Sequence, residues 1–258
     1  MKQTITFFLA LTYLACTSVL QADNRATETE TFEKTVSFQP GGQLKVENVN
    51  GNITIETWDK QEIRIYATKT AHADDKKSAH EILEATKIEI TSTPDRIHVR
   101  THHPKNEILL QDDSITVTYT ITTPAQINLD LESVNGNIDT RGTNGPIRAE
   151  TINGSLDIQN MQDGLRAETV NGSIHISVAD QTNSDIHIKT INGGIELTLP
   201  EHFKGQLKTH TLNGKLQVDR PITIQGKISK RRIEGSLNGG TSPTIQLSTV
   251  NGSIKILK

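Results

Sequence analysis

The sequence predicts an all-β protein, a repeat β-solenoid of single-stranded, β-helix-like coils of about 18–21 residues with one short helix near residues 76–86. Three observations predict it. A short phrase built on Asn-Gly recurs along the chain, and apolar residues alternate with polar ones on both sides of each copy. Aromatic residues make up only 3% of the 258 residues, so a core must be assembled from Ile, Val and Leu in thin, stacked layers.

Aligned on their Asn, the copies are VNGNI at Asn50 and Asn135, INGSL at Asn153, VNGSI at Asn171, INGGI at Asn192, LNGKL at Asn213 and VNGSI at Asn251. A degenerate copy, IEGSL, puts Glu234 in the same column. Subtracting positions from Asn135 onward gives spacings of 18, 18, 21, 21, 21 and 17 residues. Six residues before the Asn stand Ile147, Leu165, Ile186 and Leu207, and four before stand Ala149, Ala167 and Ile188. Three after stand Ile138, Leu156, Ile174, Ile195, Leu216 and Ile254; five after stand Ile158, Ile176, Leu197, Val218 and Ile256. Polar residues fill the positions between, so each repeat holds two half-buried strands around a turn.

The turn residues are Asn50, Asn135, Asn153, Asn171, Asn192, Asn213 and Asn251 with Gly51, Gly136, Gly154, Gly172, Gly193, Gly214 and Gly252. Gly accepts positive φ without a Cβ clash and Asn tolerates it better than most residues, which is the expected reason for the pair. An alternative architecture is a β-meander or sandwich in which each Asn-Gly closes a two-residue hairpin. Thr151, Thr169, Thr190, Thr211 and Thr249 share one column, and stacked coils reward such like-on-like columns more than a meander does.

Along the chain, residues 1–22 read as a signal peptide: Lys2, an apolar run from Ile5 to Leu20, and Ala22 before the expected cut. The run is too short for a membrane span. Cys16, the single cysteine, lies inside it; cleavage after Ala15 would instead make Cys16 an acylated N-terminus of a membrane-anchored lipoprotein, although Tyr13 is unusual for such a signal. Residues 30–125 are a less regular β-rich region interrupted by KKSAHEILEAT, whose helix formers give the helix. Residues 126–258 are the repeat region. No Pro- or Gly-rich linker separates the two, so they form one continuous domain.

The passages LKVENVNGNITIETWDKQEIRI and ITTPAQINLDLESVNGNIDTRGTNGPIRAETINGSLDI, with the later ETVNGSI and STVNGSI, resemble a bacterial β-strand-repeat family of unknown function whose members are often described as adhesins. The resemblance covers most of the chain beyond the signal segment. It implies a β-repeat fold and an envelope role, and it brings no catalytic residues.

The residues themselves point the same way. Net charge is −3 with no basic run, which excludes an electrostatic nucleic-acid binder. There is no GxSxG, no HExxH and no cysteine beyond the signal segment, so nucleophilic and zinc-protease schemes lack their parts. Glu132, Glu150 and Glu168 share a column, as do Asp139 and Asp157, but Arg148 and Arg166 stand beside the glutamates and the column turns to Lys189 and His210. A charge-laced solvent face explains this better than a catalytic ladder. His98, Arg100 and His102 share a strand face with His103 opposite, and Lys230, Arg231 and Arg232 form a small basic turn; neither pattern makes a metal or anion site. No metal or other cofactor is expected.

The reading is therefore an exported, non-enzymatic protein of the periplasm, cell envelope or exterior, presenting a repetitive polar face beside the Asn-Gly corners to glycan or an envelope protein. The alternatives are a polysaccharide-cleaving β-helix enzyme and a component of envelope-stress sensing. Membrane attachment follows only if Cys16 is acylated. Self-association is expected through the C-terminal repeat, whose VNGSIKILK has no cap.

Overall fold

The computed structural model describes residues 25–103, 113–180, 182–224 and 229–258. The expected signal segment and Cys16 lie outside the described residues. The N-terminal region holds β1 (Ala26–Ser37), β2 (Gln43–Glu47), β3 (Ile53–Trp58), β4 (Glu62–Ala73), α1 (Lys76–Ala85), β5 (Lys87–Thr93), β6 (Arg96–His102) and β7 (Ser114–Pro124). Then follow β8 (Asn128–Glu132), β9 (Ile138–Arg141), β10 (Ile147–Asn153), β11 (Leu156–Met161), β12 (Leu165–Asn171), β13 (Ile174–Val178), β14 (Ile186–Asn192) and β15 (Ile195–Thr198). The last are β16 (Gly205–Asn213), β17 (Leu216–Val218), β18 (Ile222–Ile224), β19 (Arg232–Leu237), β20 (Thr244–Asn251) and β21 (Ile254–Leu257).

The protein is all-β with one helix, in two large mixed sheets, neither closed. The ten-stranded sheet runs β1-β4-β7-β3-β9-β11-β13-β15-β21-β17, and the eleven-stranded sheet runs β18-β19-β16-β20-β14-β12-β10-β8-β2-β6-β5. Each Asn-Gly is a corner where the chain leaves the second sheet and enters the first. The strands on either side of it are therefore not partners, and the Asn-Gly hairpin of the alternative reading does not form. Partners are instead parallel strands of neighbouring repeats, in register: Ile147 lies beside Leu165, Leu165 beside Ile186, and Asn153 beside Asn171. The predicted apolar columns face inward, with Ile138, Leu156, Ile174 and Ile195 at most 1% exposed; Leu216 and Val218, on the edge strand β17, are only half-buried.

Two expectations need correction. Glu234 does not join the Asn column: it sits in β19, antiparallel to β16 and opposite Lys208, because a carboxylate cannot donate into an amide ladder. The repeats also do not stack in sequence order. β20 lies between β14 and β16, and β21 between β15 and β17, so the Asn251 repeat is inserted between those of Asn192 and Asn213. The C-terminal strand therefore has a neighbour on each side, and the open edge expected there belongs to β17.

The N-terminal end is finished by antiparallel strands and by α1. The helix begins where the Asp75 carboxylate accepts from the Ser78 N–H at 2.8 Å, and its Ala79, Ile82 and Leu83 are buried. Its C-terminal carbonyls are met by a buried cation, Lys69 of β4, which donates to Leu83 O at 3.1 Å and Thr86 O at 3.3 Å and pairs with Glu30 at 2.9 Å. Nearby, Asn48 donates to Val117 O and accepts from the Thr101 hydroxyl, which shares a 2.7 Å bond with Tyr119. Burial pushes the Tyr119 hydroxyl pKa up to about 12, so this network stays neutral.

Candidate functional site

The corner is the most regular part of the molecule. Asn135 Nδ2 donates to Asn50 Oδ1, Asn153 to Asn135, Asn171 to Asn153, Asn192 to Asn171, Asn251 to Asn192 and Asn213 to Asn251, all at 2.7–2.9 Å. Two residues before each Asn, the buried threonines make a second ladder: Thr151 donates to Gly136 O, Thr169 to Gly154 O, Thr190 to Gly172 O, Thr249 to Gly193 O and Thr211 to Gly252 O. Each such bond contributes about 1 kcal/mol, and an unmade one inside the stack costs more.

The glycine has a different cause from the expected one. Of the seven corner glycines only Gly51 has a left-handed φ, and none of the corner asparagines does. What the position requires is space. A Cβ on Gly154 would stand 2.0 Å from Gly136 O, one on Gly172 2.0 Å from Gly154 O, and one on Gly193 1.9 Å from Gly172 O. The neighbouring backbone occupies the place of the side chain.

Beside this corner, on the outer face of the eleven-stranded sheet, lies a groove of about 300 Å³ bounded by Glu132, Glu150, Glu168, Lys189 and the apolar Ile152, Val170 and Ile191. One wall is the carboxylate column. Arg148 bridges Asp130 at 2.9 Å, Glu132 at 2.8 Å and Glu150 at 2.8 Å, and Arg166 holds Glu168 at 2.7 Å. Lys45 holds Glu47 and Glu132 at the next strand. The arginines thus give the compensation expected from their spacing, and the pairs are solvent-exposed ones of small individual worth. Beyond β12 the sign changes: Lys189 and Lys208 have no carboxylate partner among the described residues.

The other wall was missed by sequence reasoning. Val49, Val134, Ile152, Val170, Ile191, Val250 and Leu212 each precede a corner Asn and face outward, four of them 37–46% exposed. The expected polar face is therefore half aliphatic. The signal was present: with Thr pointing in at the preceding position, strand alternation sends the Val, Ile or Leu out.

The other candidates separate. His98 and Arg100 both reach Glu47, and His102 reaches Glu89, so they pair with carboxylates rather than converge on one point. The Arg100 guanidinium, opposed by partial burial and helped by Lys45, holds Glu47 down to about 2. Arg232 pairs with Glu234. No cluster of three or more metal-ligating side chains occurs among the described residues. No described helix is long and apolar enough to cross a membrane.

Asp139 and Asp157 are neighbours in the ten-stranded sheet. Gln159 donates to both oxygens of Asp157, while burial, then the Asp157 charge, raises the Asp139 pKa. The folded protein therefore keeps this proton longer than the unfolded chain does, and stability falls as pH rises from the ordinary carboxyl range through the raised folded value. Asp139→Asn should raise the thermal midpoint at about pH 7, and the gain should vanish near pH 3. A gain that persists in acid would show that charge is not its cause.

The fold and its corner define a class: all-β repeat proteins whose two mixed sheets are joined through Asn-Gly corners. Residues 120–256 match the family described as "Domain of unknown function (DUF7330)", more than half of the chain, and the protein belongs to that family. No curated protein matches the sequence. Similar solved structures include a candidate cell adhesion protein from Clostridium sporogenes ATCC 15579, at 13% identity, 88% of this chain, 99% of that chain and a TM-score of 0.46. A candidate adhesin from Bacteroides fragilis NCTC 9343 gives 11%, 88%, 97% and 0.34. A candidate lipid binding protein from Parabacteroides distasonis ATCC 8503 gives 10%, 89%, 97% and 0.25.

Proposed function

We propose that this is an exported, envelope-associated, non-enzymatic scaffold whose working surface is the outer face of the eleven-stranded sheet. We read its parallel, in-register repeats as the coils of a β-solenoid, each turn of the chain contributing one strand to each sheet. The observation that carries the functional reading is the aliphatic column before seven corners, which runs beside the carboxylate column over the first four of them. A folded chain does not gain stability from a row of seven outward aliphatic side chains, four of them exposed and three half-buried, so the row is better explained by something that covers it. The N-terminal segment supports the address, and the paired state of the glutamates supports contact rather than chemistry.

The test is cosedimentation of the full chain with envelope preparations from its host. Ile152→Asp with Ile191→Asp, and separately alanine at Arg148, Glu150, Arg166 and Glu168, should each abolish most of the binding. Gln159→Asp, on the opposite sheet, should leave it unchanged. Equal binding by all of these variants would remove this face as the working surface.

A further inference from the structure

The partner that best fits this face is given by its own charge order. Read along the stack from β2, the positions three before the corner are Glu47, Glu132, Glu150 and Glu168, then Lys189, Ser248 and His210. This column is acidic over its first half, and over its second it holds Lys189 and no carboxylate. The next outward column, Lys45, Asp130, Arg148, Arg166, His187, Gln246 and Lys208, is mainly cationic; it offsets part of the charge of the first half but leaves that half net acidic and the second net basic. The aliphatic column is uniform from end to end. A surface that is uniformly apolar in one column and changes sign along its length in the next is complementary to itself when reversed.

We propose that this face binds a second copy of the chain, about a two-fold axis parallel to the strands and lying between β12 and β14. Rotation about that axis reverses the stack but keeps each column opposite itself. Val170 then meets Ile191 of the other copy, Glu168 meets Lys189, Glu132 meets His210 and Asp130 meets Lys208, each contact occurring twice. The alternative two-fold, along the stack, would set each strand against its own equivalent and offers no such pairing. Seven strands at about 4.8 Å spacing give a stripe roughly 29 Å long. With the flanking columns it covers on the order of 600 Å² per copy, the low end of specific interfaces, which predicts a dimer that exchanges in the micromolar range. The proposal rests on reading this face as the contact surface and names its occupant. A copy held in the envelope and a copy arriving would join by the same contact.

The test is sedimentation velocity on the full chain over a range of concentrations. The wild type should pass from monomer to dimer. Ile191→Glu should leave a monomer. Glu168→Lys and Lys189→Glu should each weaken the dimer about tenfold by opposing like charges, and the double variant should recover it because the charges are exchanged, not lost. These side chains are exposed, and unchanged circular dichroism and thermal midpoints would show that the fold survives them. A wild type that stays monomeric, or single variants that dimerise like it, would overturn the proposal. A monomer whose envelope binding still depends on Ile152 and Ile191 would overturn the second copy alone and leave the contact surface standing. A dimer that forms while those variants bind the envelope unchanged would do the reverse.

Discussion

Gly172→Ala should destabilise the protein by on the order of 3–5 kcal/mol, a large share of the total stability of a domain. The added methyl would stand 2.0 Å from Gly154 O, and the atom it meets is backbone held in a ladder on both sides, so no side-chain rotation relieves the contact. The strands must part, and parting them stretches the Asn and Thr bonds of two repeats at once. Gly164→Ala is the control. Its Cβ would find Asp185 O at 3.6 Å and Ser184 at 3.7 Å, ordinary contacts, and its φ is not left-handed. That variant should gain about 0.4–1 kcal/mol by restricting the unfolded chain. Urea denaturation of the two proteins decides the matter. Similar midpoints would mean that the corner glycines are not there for space.

Asn171 tests the amide ladder. It donates to Asn153 Oδ1 at 2.7 Å and accepts from Asn192 Nδ2 at 2.8 Å. Asn171→Leu removes both bonds and should cost about 1–2 kcal/mol at any pH, softened by water because the corner is exposed. Asn171→Asp keeps the acceptor but aims a carboxylate at another acceptor. Its loss should be larger at neutral pH and should shrink in acid, where the protonated group donates again. The sign is opposite to that of an ion-paired aspartate, since here the folded state favours the proton. Stability measured against pH should show Asn171→Leu at a constant offset below the wild type, while Asn171→Asp falls away from the wild type above about pH 5 and returns towards it below the ordinary Asp range. Parallel curves would deny the ladder its directionality.

Much of this was legible in the sequence. Alternation around Asn-Gly placed Ile147, Leu165 and Ile186 inside, the helix formers of 76–86 gave α1, and the shared Thr column pointed to stacked neighbours. What failed had physical causes. The reason for glycine was sought in its own φ, whereas it lies in a carbonyl one repeat away, which no local pattern contains. The aliphatic wall is absent from the sequence reading because the column just before each Asn was given no side, although Ile152 follows a buried Thr151 and must turn outward. Stacking order escaped because parallel partners 38 and 59 residues apart, Asn213 with Asn251 and Asn192 with Asn251, look alike in any column. Glu234 was the warning, since it breaks the ladder where the next rung in sequence would have stood.

The insertion of β20 and β21 sets the order of assembly. A repeat array normally zips as it is made, each unit docking on the one before. Here β16 and β17 are synthesised before β20 and β21 but cannot take their final places first, because the edge of β14 and β15 must receive strands whose equivalent residues come 38 later in the chain. Until residues 244–257 arrive, the edges of β14 and β15 that receive β20 and β21 are unpaired. The closing event is therefore non-local and slow by the standards of the fold, and the interval before it is when the unfinished edges are most open to the wrong strand. The chain wedges its last strands in as a keystone, and the final shape of the array is decided only when that keystone drops.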